Sequence, residues 1–306
     1  MIVVIGSSNT DMVIKSEHLP APGETVLGGN FFMNAGGKGA NQAVAAARLN
    51  GAITFVAKVG NDVFGMQAIE LFKQEKINTG YIFIDEKNPS GIALINVDAK
   101  GENCITVAQG ANGFLSKGDI EKARAVIEQA DIILIQLEIP IETIEYVAKI
   151  AWQKNIQIIL NPAPACKLSD DLLSKISIIT PNEKEAEILT GIPVNNIDSA
   201  KQAALILSAK GIEIVIITLG EQGALLYQNN EFNLIATSKV IAVDTTAAGD
   251  VFNGALAVAL SEKKSIKEAV LFANKAASIS VTRLGAQASA PYRNEPGFAR
   301  LNDLQD

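Results

Sequence analysis

Short apolar runs rich in β-branched residues alternate along the chain with longer stretches in which apolar positions recur every three or four residues. The runs at 2–7, 53–59, 131–137, 156–161, 177–180 and 213–219 have the length and composition of core strands. Between them, Ala40–Asn50, Val63–Glu75, Lys117–Gln129, Ile141–Lys154, Lys184–Thr190 and Ser199–Lys210 carry helical spacing, and VFNGALAVAL reads as a buried helix. Alternation of this kind predicts an α/β fold with a mainly parallel sheet flanked by helices. Two regions, about 11–34 and 90–108, break the rhythm with strand-like alternation, the second around an Asp98–Gly101 turn. Both leave the same edge of the α/β body, so they are expected to pair as a small β-lid inserted in a single domain spanning 1–306. No low-complexity linker or internal repeat interrupts the chain.

Composition then narrows the function. Hydrophobic residues make up 48% and charged residues 19%, enough apolar material for a large core. The 26 Lys and Arg against 33 Asp and Glu leave a charge of −7 with no basic block, so nothing draws the chain to nucleic acid phosphates. Cys104 and Cys166 stand far apart, which excludes a disulfide framework or CxxC site and suggests free, buried small hydrophobes in a reducing compartment. The opening MIVVIGSS is too short for a signal peptide, and no segment is apolar for long enough to span a bilayer, so a cytoplasmic location without membrane attachment is expected. The single histidine, His18, sits in a turn-like LPAPGE context and supports neither a Ser-His-Asp relay nor an HExxH zinc site. Chemistry must rest on carboxylates, hydroxyls, amides, lysine and backbone groups.

In open α/β sheets ligands gather at the carboxyl ends of the strands, where Asn9, Asp11, Glu138, Asn182, Thr218 and Gly220 stand. Asn9 and Asp11 are two apart, so an extended backbone aims both to one face, suiting adjacent hydroxyls of a polyol; alone, an Asx-turn explains them as well. AGGKGANQAVAAA at 35–47 sets glycines and Lys38 before an Ala-rich helix, either to admit a ligand to the helix amino end or as a close-packed connection. It is neither a Walker A loop nor a GxGxxG fingerprint. PNEKEAE at 181–187 matches a capping box through Asn182 and Glu185, and the alternative gives that pair phosphate-bound magnesium through water. DTTAAGD at 244–250 is the sharpest signal: Ala247, Ala248 and Gly249 leave first-turn amides bare for a phosphate, and Asp250 stands beside them to take a proton from an attacking hydroxyl. Gly249 costs up to ~1 kcal/mol against alanine in a helix and needs a reason such as ligand approach.

GSSNTD, LPAPGET, GGKGANQAVAAARL, QLEIP, NPAPA, TPNEKEAEILTG, TLGEQGALL, DTTAAGDVFNGALA and VTRLGAQAS follow one another over nearly the whole chain. In that order they resemble the ribokinase family of carbohydrate kinases. The resemblance implies a three-layer α/β/α fold with a β-sheet lid, and ATP-dependent phosphorylation of D-ribose at its 5-hydroxyl. It implies Asp250 as catalytic base, with Ala247, Ala248 and Gly249 forming the anion hole. Asn9, Thr10, Asp11, Gly37, Lys38, Gly39, Ala40, Asn41 and Glu138 would hold the sugar. Asn182, Thr218, Leu219, Gly220, Glu221, Gln222, Gly223 and Asn274 would line the ATP site beside Gly249 and Asp250, with Glu185 acting through a Mg2+ shell. Asp244, Thr246, Ser280, Arg283, Gly285 and Ser289 match the family's K+ site, and family members often pair their lids in a homodimer. Many members carry glycine where Ala247 stands. A kinase of deoxyribose, fructose or adenosine, and a sugar- and nucleotide-binding regulator without turnover, remain alternatives.

Overall fold

Successive side chains of a strand point to opposite faces, and in the central strands both faces are apolar. Val3, Ile5, Ile133, Ile135 and Ile217 enter one core with the helices Ile141–Gln153 and Ile197–Ala209, while Ile2, Val4, Leu134 and Ile216 enter a second with Lys38–Arg48, Ala248–Ser261 and Ile266–Ser280. That is why these strands read as unbroken apolar runs. The computed structural model describes residues 1–299. Its strands are β1 (Ile2–Ile5), β2 (Asn9–Lys15), β3 (Asn30–Gly36), β4 (Ile53–Gly60), β5 (Asn78–Asp85), β6 (Gly91–Val97), β7 (Asn103–Ala108), β8 (Ile132–Ile135), β9 (Gln157–Leu160), β10 (Ile178–Ile179), β11 (Ile214–Thr218), β12 (Ala224–Gln228) and β13 (Glu231–Ile235).

Nine strands form one sheet in the order β13-β12-β11-β10-β9-β8-β1-β4-β5, parallel throughout except at β12, which runs antiparallel to both neighbours. From β1 the chain proceeds one way to β4 and β5 and later the other way to β8 and beyond. The strand order therefore reverses at β1, the position beside which open α/β sheets gather ligands. Four further strands make a separate sheet, β3-β2-β6-β7, in which β2 pairs antiparallel with β3 and parallel with β6, and places Asp11 opposite Asn34 and Ala93. The three-layer α/β/α architecture with a small second sheet agrees with the expected fold class.

β5, β12, β13 and the helix Ile266–Ser280 add to the elements expected. The last carries a Ser265–Glu268 capping box, a start signal present in the sequence. Residues 117–129 form two short helices, Lys117–Lys122 and Arg124–Ile127, because the Ala123 amide is shared between the carbonyls of Asp119 and Ile120 and the turn tightens there. Cys104, expected inside, is exposed on edge strand β7; Cys166 is partly buried. Helices Lys38–Arg48 and Ala248–Ser261 cross in direct contact: a Cβ at Gly254 would stand 2.7 Å from the Gln42 carbonyl oxygen and 3.0 Å from the Ala45 methyl.

Candidate active site

The amino ends of these two crossing helices meet at the carboxyl ends of β1 and β8, and they are finished differently. For Lys38–Arg48, the Lys38 amide donates to Glu138 Oε2 at 3.0 Å, the Gly39 amide to Ser7 Oγ at 3.4 Å, the Ala40 amide to the Ser7 carbonyl at 2.8 Å and the Asn41 amide to the Gly37 carbonyl at 2.8 Å. All four first-turn donors are thus satisfied within the chain, so this helix offers no bare amides to an anion. Ser7 Oγ itself donates to Glu138. Glycine is required here by the protein: Gly37 has φ 89°, and Cβ atoms at Gly37 and Gly39 would press within 2.7 Å of the Asn9 amide and 2.6 Å of the Ser7 amide. Of the two readings of 35–47, the close-packed connection is the one that accounts for these glycines.

The other amino end is open. The Ala248 amide donates to Thr245, but those of Ala247, Gly249 and Asp250 reach no acceptor among the described residues. Ala247 begins the turn at φ 59° and ψ 12°, the left-handed region, costing an L-residue about 1–2 kcal/mol. Gly249 has neither a positive φ nor a neighbour within 4 Å of a built Cβ, so neither torsion nor internal packing demands a glycine there. The free amides stand in the field of a 14-residue helix, which favours an anion at this end.

Asp250 is 5% exposed; its Oδ2 accepts from Asn41 Nδ2 and its Oδ1 from Gln42 Nε2, each at 2.9 Å. Burial pushes its pKa up, against the pull of Lys38 and these two amides. Asp11 rises to about 6, first through burial and then through the charges of Glu138 and Asp250. It accepts no hydrogen bond from the described residues. Burial likewise raises Glu185, while for Lys38 it acts downward and is outweighed by the carboxylates of Asp250, Glu138, Glu185 and Asp11. One ammonium therefore sits among four acids, and the pocket favours groups that bring hydroxyl donors or positive charge. Asn9 is fixed from behind by Asn112, whose Nδ2 donates to Asn9 Oδ1 at 2.7 Å and whose Oδ1 takes the Ser8 amide at 2.9 Å. Thr10 shares the strand but points to the opposite face from Asn9 and Asp11.

The nucleotide-side residues lie at the ends of β10 and β11. Asn182 and Glu185 form a reciprocal capping box at 2.9 Å each way, leaving Glu185 Oε1 uncommitted. Thr218 closes β11 and forms a bridge with Asn182; Leu219 leads into a 3-10 turn of Gly220, Glu221 and Gln222, and Gly223, at φ 93°, turns back into β12. Asn274 donates to the Ile235 carbonyl at 2.9 Å and so fixes the exit of β13. Among the cation candidates, Asp244 accepts the Thr246 amide through Oδ1 and the Gly285 amide through Oδ2, both at 2.9 Å. Burial opposes its charge, but these hydrogen bonds prevail and hold the carboxyl below the usual range. Ser280 and Ser289 donate to carbonyls three residues back, keeping lone pairs available, while the Arg283 guanidinium is engaged by Glu295, so its carbonyl is the group left to offer.

Sequence reasoning passed over Ser7, Gln42, Asn112, Gln136, Asn161, Thr180 and Asn253, all buried in or beneath this site. Gln136, Asn161 and Thr180 are each the first residue after β8, β9 and β10. A polar side chain ending an apolar run was the signal that could have found them.

Comparison with known proteins gives the family. A family profile described as pfkB family carbohydrate kinase matches residues 1–293. The ribokinase of Haemophilus influenzae is 47% identical over 294 residues, covering 96% of each chain. The deoxyribokinase of Salmonella typhi is 40% identical over 298 residues, covering 95% of each. The ribokinase of Arabidopsis thaliana, solved in complex with ribose and ATP, superposes with a TM-score of 0.90 at 33% identity, over 99% of this chain and 98% of that one. By this match over nearly its whole length and by its fold, the chain belongs to the pfkB family of carbohydrate kinases.

Proposed function

We propose that this protein transfers the γ-phosphoryl group of ATP to the 5-hydroxyl of D-ribose. The observation that carries this reading is the setting of Asp250: a nearly sealed carboxylate, fixed through both oxygens, on a residue whose own amide is unshared, as are those of Ala247 and Gly249 before it. An acid whose pKa is lifted by burial is a stronger proton acceptor once ionised, and Lys38 favours the ionised form. The amides of Gly249 and Asp250 meet charge building on the migrating phosphoryl, so the rate comes from positioning and electrostatics. Asn9, Asp11, Lys38, Asn41 and Glu138 hold the sugar; Asn182, the 218–223 turn and Asn274 border the nucleotide. The β3-β2-β6-β7 sheet covers the sugar and excludes water as a competing acceptor.

ATP use is supported by the family and by the relatives. A magnesium ion carried by the phosphates would meet Glu185, whose Oε1 is uncommitted, through its water shell. A bound magnesium ion would neutralise phosphate charge. Asp244, held ionised, with the hydroxyls of Ser280 and Ser289 and the backbone of Thr246, Arg283 and Gly285, suits a potassium ion, which would add positive charge behind the anion hole.

Asp11 favours ribose over 2-deoxyribose. A carboxylate with no donor from the protein accepts from two adjacent hydroxyls, and losing one leaves a buried acceptor unpaired, about 1–3 kcal/mol or 5- to 150-fold. The test is turnover of ribose, 2-deoxyribose, fructose and adenosine by ADP release with magnesium and potassium present, alongside Asp250→Asn. Ribose is expected to give the highest kcat/KM, and Asp250→Asn to lose about 10²–10⁴ in kcat while binding nucleotide normally by calorimetry. Preference for another substrate overturns the sugar assignment, and near-normal turnover by Asp250→Asn removes it from the base role.

A further inference from the structure

Beneath Asp250 lies a layer of buried amides that the reaction as described does not use. Gln42 Nε2 donates both to Asp250 Oδ1 at 2.9 Å and to Asn161 Oδ1 at 3.1 Å, and Gln42 Oε1 accepts from Gln136 Nε2. Asn161 Nδ2 donates to the Thr180 carbonyl at 3.3 Å, Thr180 Oγ1 to Asn253 Oδ1 at 2.7 Å, and Asn253 Nδ2 to the Gly249 carbonyl at 2.8 Å. Gln42 and Gln136 are fully buried, and Asn161, Thr180 and Asn253 are nearly so. The layer starts at the acid, passes under the carboxyl ends of β8, β9 and β10, and returns to the helix start that carries the free amides.

An ionised carboxylate only accepts hydrogen bonds, so Gln42 must turn its NH2 toward Asp250. Its carbonyl then faces Gln136, which must in turn present its own NH2. The consequence is visible: Gln136 Oε1 is left without a partner, packed where a Cβ on Gly6 would stand only 2.0 Å away. A buried oxygen is left unpaired at a cost, and here the cost accompanies two amides aligned in series on one carboxylate.

We propose that Gln42 is the positioning residue for Asp250, that Gln136 holds Gln42 in register, and that the layer locks the carboxylate to Gly249, so base and anion hole keep a fixed separation. This rests on Asp250 acting as the base. Asp250 is also faced by Asn41 and Lys38 from the Gln42 helix, by Glu138 after β8, by Asp11 from β2 and by Glu185 from the Glu183–Thr190 helix. None of these replaces the donor to Oδ1.

The test compares Gln42→Met, Gln136→Met, their combination and Asp250→Asn in the full-length protein, by steady-state ADP release with D-ribose, ATP, magnesium chloride and potassium chloride. Gln42→Met is expected to lower kcat about 10- to 100-fold, one hydrogen bond to a charged group, with KM for both substrates within about threefold. The acid limb of its kcat/KM profile moves to higher pH, since the donation that favours ionisation is gone. Gln136→Met gives a smaller fall of the same kind, and the double variant is no worse than Gln42→Met alone. Wild-type kcat and acid limb in Gln42→Met, beside an inactive Asp250→Asn, overturn the positioning role while leaving the base intact. Additive losses in the double variant also overturn it. Should Gln42→Met fail to fold, an unchanged kcat in Gln136→Met has the same force, and an active Asp250→Asn removes base and positioning residue together.

Discussion

Asp11, which we propose binds the sugar, shows what a carboxylate without a donor costs the fold. Its pKa of about 6 stands above the 3.8 of the unfolded chain, so between these values the folded state holds a proton that the unfolded state has lost. Stability contributed by this group is therefore full below pH 3.8 and is lost as pH rises through about 6. Asp11→Asn, neutral at every pH, is expected to match the wild type near pH 4 and to exceed it by about 1–3 kcal/mol at pH 8 in urea unfolding, while sugar turnover falls. A difference that stays flat between those pH values refutes the strain assigned to Asp11. The same residue marks a limit of reading residues singly. Asn9 and Asp11 are compatible with an Asx-turn by sequence, and the placing of Asp11 beside Glu138 and Asp250 is what supports the sugar-binding reading.

At the scale of elements, two glycine-bearing helix starts that look alike in sequence do opposite things. GGKGAN closes its helix on Glu138 and Ser7, and DTTAAGD leaves its helix open. Substitution tells them apart. Gly37→Ala, which combines a positive φ with a 2.7 Å clash against backbone, is expected to lower stability by about 1–3 kcal/mol in denaturant titration. Gly249→Ala, which meets nothing within 4 Å, is expected to leave stability unchanged or slightly raised while kcat falls about tenfold or more. Unaltered turnover in Gly249→Ala contradicts phosphoryl binding at that turn. DTTAAGD was legible because its small residues, its acid and its apolar helix are contiguous. The amide layer was not: Gln42, Gln136, Asn161, Thr180 and Asn253 are dispersed in sequence and are gathered only by the order β1-β8-β9-β10. The core strands announced themselves by unbroken apolarity, whereas β5 and β13, partly exposed along their length, offered no such run.

For the whole molecule, the second sheet poses the open structural question. On the face turned away from Asp11 it exposes Ile14, Phe31, Met33 and Leu94, the last three more than half exposed. Edge strand β7 is exposed along its whole length. A contiguous apolar patch with an unpaired edge invites a partner, and we propose a homodimer formed through this sheet. The wild type is expected to sediment as a dimer at micromolar concentration, and Phe31→Asp with Leu94→Asp to sediment as a monomer with its far-UV spectrum retained. A monomeric wild type removes the dimer. No helix of the described residues is long and apolar enough to cross a membrane.

The contact at Gly254 ties these scales together. Because one helix touches the other's backbone with only a hydrogen between them, the spacing from the groups on Lys38–Arg48 that we propose hold the sugar to the turn before Ala248–Ser261 that we propose holds the phosphate is set by atomic diameters rather than by loop length. On that proposal the crossing works as a gauge block: the gap that a phosphorus atom would bridge stays machined to one size.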